Sequence, residues 1–321
     1  MKKQTVWALA MMMTTAVWAM NPLIEHLYTA DPSIHQWSNG MFYLYCSHDR
    51  DDATAGWNMD DYHVFSSPDL VNWQDHGVAF TKDMTGWVVT DGGNNVGPLW
   101  APDCAEYKGK YYFYFPQSCR YIGVAESSSP TGPFADPVIM HDTFAENGIN
   151  GGSLDPAVYF EDGVWYLIYK EKQMIGGTPV KQFVLETLDP SMKKGVPGSR
   201  KVIKINGGGI HEGPYIFKRE DIYYLLSGGN QTHYFTSTNL AGPYTHQGVL
   251  IDDGPGFPTV KTQHNSVINV DGKWILFWHF EADGFYRRRI GASYLNFNPD
   301  GTLQRVIPNM RGIDPVGCSS K

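Results

Sequence analysis

One short hydrophobic pattern recurs five times along the chain. Each copy is a turn residue followed by a run rich in aromatic and branched apolar residues. The five runs read GMFYLYCS, GKYYFYFP, GVWYLIYK, DIYYLLSG and GKWILFWH, and they begin at Gly40, Gly109, Gly163, Asp221 and Gly272. Residues of this kind favour β-strands. The pattern therefore predicts one aromatic-rich strand in each of five repeats.

Each aromatic run is accompanied by further strand signals. An apolar strand and a turn precede it, as in PAVYFEDG and NSVINVDG, where the Asp-Gly pair is a strong hairpin signal. Another strand and turn follow most copies, as in YHVFSSPDLVNW from Tyr62. About four short strands per repeat of roughly 50–70 residues are typical of β-propeller blades. We therefore predict an all-β fold, a single five-bladed β-propeller domain over residues 20–321.

The first 19 residues have a different pattern. Lys2 and Lys3 precede an apolar stretch from Val6 to Ala19, with small residues at its end. This order is typical of a secretory signal peptide, predicted here over residues 1–19. The apolar stretch is short for a membrane-spanning helix, so we expect no membrane anchor. The mature protein is expected to be exported, either to the periplasm or outside the cell.

The composition of the chain argues against nucleic acid as a partner. The chain has 25 basic and 33 acidic residues, a formal net charge of −8, which opposes binding to nucleic acid. Export permits disulfides among Cys46, Cys104, Cys119 and Cys318, and the spacing contains no CxxC pair typical of zinc sites. Cys104 and Cys119 bracket one strand-rich segment and are candidates for a disulfide. The oligomeric state does not follow from the sequence.

Three of the predicted blades begin with an acidic residue in a tight segment that contains proline. Asp31 lies in TADPS, Asp155 in GGSLDPAV and Glu212 in GGGIHEGPY. Proline favours extended backbone at the preceding residue, which would fix the direction of an aspartate side chain. A single Asp-Pro pair is most often an ordinary turn, but blade starts converge on the channel of a propeller. The three acids are therefore expected to share one pocket, where carboxyls of different pKa could serve as the acid and base of glycoside hydrolysis.

The order of these motifs resembles glycoside hydrolase family 43 over nearly the whole mature chain. The motifs are HLYTADPS around Asp31, SHD at Ser47–Asp49, DYHVFSS from Asp61, WAPD from Trp100, LDPAV around Asp155, EGP at Glu212, QHNSV around His264 and NPDGT from Asn298. The resemblance implies a five-bladed propeller and an inverting mechanism. It also implies that Asp31 is the general base, that Glu212 is the general acid, and that Asp155 raises the pKa of Glu212 and orients it.

The resemblance further implies substrate-binding roles for Trp100, Arg288, His48 and Asp49. Trp100 would stack on a sugar face, although packing between blades is the alternative. Arg288 corresponds to the family arginine that reaches the substrate near Asp31. It lies in a run of three arginines, and strand alternation would point it away from its two neighbours.

A cation is a further implication of the resemblance. His264 corresponds to a family histidine near the channel axis that helps to hold calcium or another cation, often through water. Such a cation would lower the negative charge among the three acids. The alternative is a histidine that only bonds to Asp155 or to a water molecule.

The expected activity is that of an α-L-arabinofuranosidase or a β-D-xylosidase acting on plant cell-wall polysaccharides or oligosaccharides. Long segments after the first blade strands could wall the channel and favour a pocket with exo action. Endo-arabinanase activity and cleavage of galactan or galactofuranose remain open within the family. A non-catalytic carbohydrate-binding propeller would require the loss of an acid, and all three are present. A retaining fructosidase would require asparagine before Asp31, where this chain has Ala30.

Overall fold

The computed structural model of the protein describes residues 20–88, 96–148, 152–252, 257 and 262–317. The signal peptide predicted over residues 1–19 and Cys318 lie outside the described residues. Within those residues the chain forms five sheets, separated by short connections that include a 3₁₀ turn (Lys82–Met84) and one helix, α1 (Thr143–Asn147). None of the helices in the described ranges is long and apolar enough to cross a membrane.

The sheets follow one another in chain order as five blades. Blade 1 contains β1 (Tyr28–Gln36), β2 (Phe42–Asp49), β3 (Asp61–Ser67) and β4 (Gln74–Thr81), and blade 2 contains β5 (Asp103–Tyr107), β6 (Lys110–Gln117), β7 (Tyr121–Ser127) and β8 (Ala135–Asp142). Blade 3 contains β9 (Leu154–Glu161), β10 (Val164–Ile175), β11 (Thr178–Thr187) and β12 (Lys201–Val202). Blade 4 contains β13 (Ile205–Asn206), β14 (Glu212–Arg219), β15 (Ile222–Gly228), β16 (Thr232–Ser237) and β17 (Tyr244–Ile251), and blade 5 contains β18 (Ser266–Val270), β19 (Lys273–Glu281) and β20 (Arg288–Tyr294).

In each sheet the aromatic run is the strand next to the innermost one, and it is buried on both faces. On β2, Phe42 and Leu44 pack against blade 5, whereas Tyr43 and Tyr45 pack against blade 2. Three more clusters fill the interfaces between the remaining neighbouring blades. Because both faces are covered, these strands are continuously apolar rather than alternating. The predicted all-β, five-bladed β-propeller is confirmed.

Tight hairpins join the first two strands of several blades. Asp162 and Gly163, like Asp271 and Gly272, all have positive φ values of 50–82°. Two consecutive residues in this region define the type I′ turn, whose twist matches that of the paired strands. The Asp-Gly signals in the sequence therefore correspond to real hairpins.

The N-terminal segment closes the ring beside β20. The backbone N–H of Leu23 donates to the carbonyl of Ile290 at 2.9 Å. The amide side chain of Asn21 donates to the carbonyl of Ala292 at 3.1 Å and accepts from its N–H at 2.8 Å. The segment thus covers the open edge of a blade that has three strands of its own.

The disulfide considered between Cys104 and Cys119 is wrong. Cys46, Cys104 and Cys119 are all free thiols. Cys104 is fully buried in the interface between blades 1 and 2, whereas Cys119 follows β6 and lines a cavity on the channel side. The two residues bracket β6 in sequence, but one is packed between blades and the other lines a cavity.

Candidate active site

Three inner strands carry a β-bulge at a residue that precedes proline. The bulge residues are Asp31 in β1, Asp155 in β9 and Gly213 in β14, where the ladder register shifts. Their φ values are 53°, 58° and 58°, in the left-handed region. A bulge bends its strand and re-aims a side chain, and here it turns the aspartates toward the channel.

The backbone before these prolines differs from the sequence prediction. Extended geometry was expected at Asp31 and Asp155, but the bulge places both residues in the left-handed region, which aspartate tolerates better than most residues. In blade 4 the bulge position belongs to Gly213, so Glu212 lies one residue earlier than the two aspartates. A Cβ atom on Gly213 would lie 2.8 Å from the ring of His264, so this position requires glycine.

Asp31, Asp155 and Glu212 meet at one cavity of about 220 Å³. Much of the remaining wall is apolar and comes from Trp57, Met59, Trp100, Ala101 and Leu154. An apolar wall with a few converging polar groups is the usual form of a small-molecule site. The sequence-based grouping of the three acids in one pocket therefore agrees with the structure.

Asp31 is a buried carboxylate whose oxygens are held by several donors. Nη1 of Arg288 lies 3.0 Å from its Oδ1, and Oγ of Ser47 donates to its Oδ2 at 2.6 Å. Burial alone would raise the pKa of Asp31. The positive charge of Arg288, with a smaller contribution from His264, more than offsets burial and lowers the pKa to about 2. Asp31 is therefore ionised across the neutral pH range.

His279 holds the backbone of the same bulge. Its Nδ1 accepts the N–H of Asp31 at 2.9 Å, and the ring is fully buried. Burial, followed by the charge of Arg288, lowers the pKa of His279 well below its ordinary value. A neutral imidazole is required here because Nδ1 must accept a hydrogen bond. His279 carries no distinct sequence signal, because it ends the aromatic run of the fifth repeat.

Arg288 is buried and its direction is fixed by Asp49. The Asp49 carboxylate accepts from Nη2 at 2.8 Å and from Nε at 2.9 Å, and the guanidinium lies over the ring of Trp57 at 4.3 Å. Arg287 and Arg289 are more exposed, as strand alternation predicts. The sequence predicts a direct sugar contact for Asp49. In the structure Asp49 does not line the cavity and binds Arg288 instead.

Asp155 and Glu212 form the second half of the site. Oδ2 of Asp155 accepts the N–H of Gly213, the residue after Glu212, at 2.9 Å. Burial raises the pKa of Asp155 to about 6, and the negative charge of Glu212 acts in the same direction. His264 and Lys170 partly offset this rise. Asp155 therefore keeps its proton to higher pH than an ordinary aspartate does.

Replacing Asp155 by asparagine is expected to move the basic limb of the pH profile of kcat/KM to lower pH, by about one unit. The substitution removes the carboxyl whose raised pKa keeps a proton in the site near neutral pH. The measurement is kcat/KM between pH 4 and 9 for both proteins. An unchanged profile would show that Asp155 has only a structural role.

Lys170 is a site residue that sequence reasoning missed. It is buried on β10, lines the cavity, and its Nζ lies 3.2 Å from Oε2 of Glu212. The ammonium group is placed to orient the Glu212 carboxyl. One signal was present in the sequence, because the third aromatic run ends in a lysine at the position where a doubly buried strand should stay apolar.

Replacing Lys170 by methionine is expected to move the same basic limb to higher pH, opposite to the Asp155 substitution, and to lower kcat. The charge of Lys170 lowers the pKa of Asp155, so its removal lets Asp155 keep its proton to higher pH. Lys110→Met, which removes an exposed lysine paired with Glu126, is the control. Basic limbs that move the same way in both site variants would contradict this assignment.

Of the other predicted site residues, Trp100 and His264 line the cavity, whereas His48 does not. Trp100 lines the cavity, and its indole Nε1 donates to the carbonyl of Trp57 at 2.7 Å. His264 lies between the acids, with Nδ1 3.6 Å from Asp31 and Nε2 3.7 Å from Asp155. His48 is outside the cavity wall and bonds to Asp61 on β3, so its expected sugar contact does not fit its position.

Comparisons with known proteins agree with this geometry. Residues 19–303 match the model of glycosyl hydrolases family 43. The chain is 30% identical to xylosidase/arabinosidase 43A of Humicola insolens, across 81% of this chain and 90% of that protein. A β-xylosidase/α-arabinofuranosidase from a compost microbial metagenome, solved with xylotriose in a calcium-free form, has a TM-score of 0.76 and 29% identity, covering 92% of this chain and all of the other.

A second solved structure also matches the fold of this chain. It is a family 43 enzyme from Xanthomonas citri complexed with xylotriose, with a TM-score of 0.73, 27% identity, and coverage of 91% of this chain and 94% of its own. Family 43 enzymes are inverting glycoside hydrolases. The non-catalytic binding propeller is therefore set aside. With the matched fold, the three converging acids and the family match over most of its length, the chain belongs to glycosyl hydrolases family 43.

Proposed function

We propose that the protein is an exo-acting β-xylosidase/α-L-arabinofuranosidase that removes single pentose residues from xylan-derived oligosaccharides. The observation that carries this proposal is the size of the cavity at the three acids. Its volume of about 220 Å³ is below the ~300–1,000 Å³ of pockets for drug-sized ligands, and suits one monosaccharide. The relatives named xylosidase/arabinosidase support the choice of pentose.

In the proposed mechanism, Asp31 deprotonates the attacking water. Its carboxylate stays ionised at working pH because Arg288 faces it, and inversion needs the water on the side of the anomeric carbon opposite the leaving group. Glu212 protonates the leaving oxygen. Asp155 supports that step, since its raised pKa keeps a proton beside Glu212 and its carboxyl holds the backbone N–H after Glu212.

The substrate assignment is tested with aryl β-D-xyloside, aryl α-L-arabinofuranoside and xylotriose, using the chain without residues 1–19. Release of xylose or arabinose as the inverted anomer, followed by NMR, is expected. Cleavage of polymeric arabinan inside the chain, or of galactan-type substrates, with no release from either aryl pentoside would overturn the proposal in favour of the other family activities.

We also propose that a cation binds on the channel axis beside His264, as the calcium-free description of one relative suggests. A second cavity of about 30 Å³ shares Asp31, Asp155 and His264 with the main cavity and has room for roughly one ion or water. Asp31, Asp103, Asp155 and His264 line it. This oxygen-rich set fits a hard cation, which His264 would help to hold through water. When bound, the cation would reduce repulsion among the carboxylates.

The cation proposal predicts that Ca²⁺ raises kcat/KM and that a chelator reverses the effect. His264→Gln should lose the response to Ca²⁺, and calorimetry should show weaker binding in the same variant. His76→Gln, an exposed histidine of blade 1 outside both cavities, is the control. Equal calorimetric traces for wild type and His264→Gln would contradict a site on the axis.

Export is proposed on the sequence of residues 1–19 alone. Expression of the full chain in a bacterial host and N-terminal sequencing of the secreted or periplasmic protein test it. A mature N-terminus near residue 20 is expected, and an intact N-terminus on cytoplasmic protein would contradict it.

A further inference from the structure

Blade 1 carries a histidine–carboxylate cluster that the active site does not use. His48, Asp61 and His63 each offer a ligand atom, and these atoms all lie within 4.8 Å of one another. The side chains are 11–22% exposed, so the cluster is half-buried but open to ions from solvent. Two imidazoles and one carboxylate form a donor set that suits zinc and similar transition-metal ions.

The three side chains are held on a rigid scaffold. Ser47 of β2 pairs with Tyr62 of β3, so His48 and Asp61 occupy the next positions on the same ladder. His63 lies two residues beyond Asp61 and therefore on the same face of the sheet. The rings of His48 and His63 meet edge to face, with centroids 4.9 Å apart.

A second layer of residues orients the cluster as in known metal sites. Nδ1 of His63 lies 3.0 Å from Oδ1 of Asp75, whose other oxygen is 2.9 Å from Nε2 of His26. A carboxylate on one nitrogen of a histidine is the usual support of a metal-binding imidazole, and it leaves the other nitrogen as the ligand. Nδ1 of His48 lies 2.7 Å from Oδ1 of Asp61. A zinc ion bound at about 2.0–2.1 Å needs ligand atoms about 3.3 Å apart, so small side-chain rotations would complete the site.

We infer that His48, Asp61 and His63 bind a transition-metal dication of the Zn²⁺ type, separate from the cation on the channel axis. The place of this ion in the fold indicates that it stabilises a loop. β2 ends at Asp49 and β3 begins at Asp61, so the site joins the two ends of segment 50–60. That segment supplies Trp57 and Met59 to the cavity wall. The metal therefore clips the base of the loop that shapes the sugar pocket.

The test measures Zn²⁺ bound to the purified chain after dialysis, and the absorption of the Co²⁺-substituted protein. One equivalent of Zn²⁺ and intense visible bands of four-coordinate Co²⁺ are expected in the wild type, with a higher thermal midpoint in Zn²⁺. His63→Gln and His48→Gln should each lose both signals, whereas His76→Gln and His264→Gln should keep them. Either histidine variant of the cluster suffices if the other fails to fold.

Two results would overturn the inference. One is the absence of bound Zn²⁺ in the wild type at 100 µM metal. The other is equal Zn²⁺ retention in the wild type and a folded His63→Gln or His48→Gln protein, which would place the ion elsewhere. Excess Ca²⁺ should not displace the Zn²⁺, because calcium prefers a shell of six to eight oxygen atoms.

Discussion

Replacing Asp31 by asparagine is expected to lower kcat/KM by roughly 10²–10⁴-fold, the usual scale for losing a general base. An amide cannot take the proton of the attacking water, and the amide loses the charge that pairs with Arg288. The measurement is hydrolysis of an aryl pentoside and of xylotriose, which should fall to a similar degree because water attacks in both reactions.

Asp136→Asn is the matched control for this substitution. Asp136 also precedes a proline and also has a left-handed φ of 51°, but it is exposed on the outer strand β8. Its replacement tests the same local motif away from the cavity and should leave kcat/KM unchanged. Near-wild-type activity of a folded Asp31→Asn protein would remove Asp31 from the role of base.

Replacing Glu212 by glutamine is expected to lower kcat for xylotriose by roughly 10²–10⁴-fold, with a much smaller loss for nitrophenyl pentosides. A sugar leaving group needs a proton on its oxygen as the bond breaks, whereas a nitrophenolate leaves without one. The ratio of the two losses therefore reports the step that Glu212 serves, which a general loss of folding would not change.

Glu220→Gln provides the control for Glu212. Glu220 is exposed in the turn between β14 and β15 and pairs with Arg219, so the same chemical change occurs one strand length from the cavity. Equal losses on both substrates in Glu212→Gln would indicate that the carboxylate positions the sugar rather than protonating the leaving group.

The fold could be predicted because its signal is local and repeated. Each aromatic run is buried between two blades, so its hydrophobicity appears directly in consecutive residues, and Asp-Gly pairs mark the hairpins. Five copies in the same order then indicate a propeller. The β-bulges could not be predicted from the sequence. Proline favours extended backbone at the residue before it, but the strand pairing of each blade places Asp31 and Asp155 in the left-handed region.

The meeting of the three acids at one cavity could be predicted from the sequence, whereas the residues that hold and orient them could not. Asp31, Asp155 and Glu212 lie at blade starts, which topology brings together. Lys170 comes from a second strand, and its contact with Glu212 depends on how far that strand rises toward the channel face. His48 and Asp49 were expected to contact sugar because of their motif, but β-strand alternation sends His48 to Asp61 and Asp49 to Arg288. Such contacts depend on side-chain direction, which motif order does not contain.

Because the ring closes at Asn21, the site can be complete only late in synthesis. Asn21 bonds to Ala292, 271 positions later, and Asp31 meets its arginine across 257 positions. A nascent chain that has emerged only through blade 4 therefore has both carboxylate-bearing bulges but neither the partner that keeps Asp31 charged nor a closed ring. Contacts of such long sequence separation form slowly. The chain would remain an inactive, open arc until its last blade leaves the ribosome.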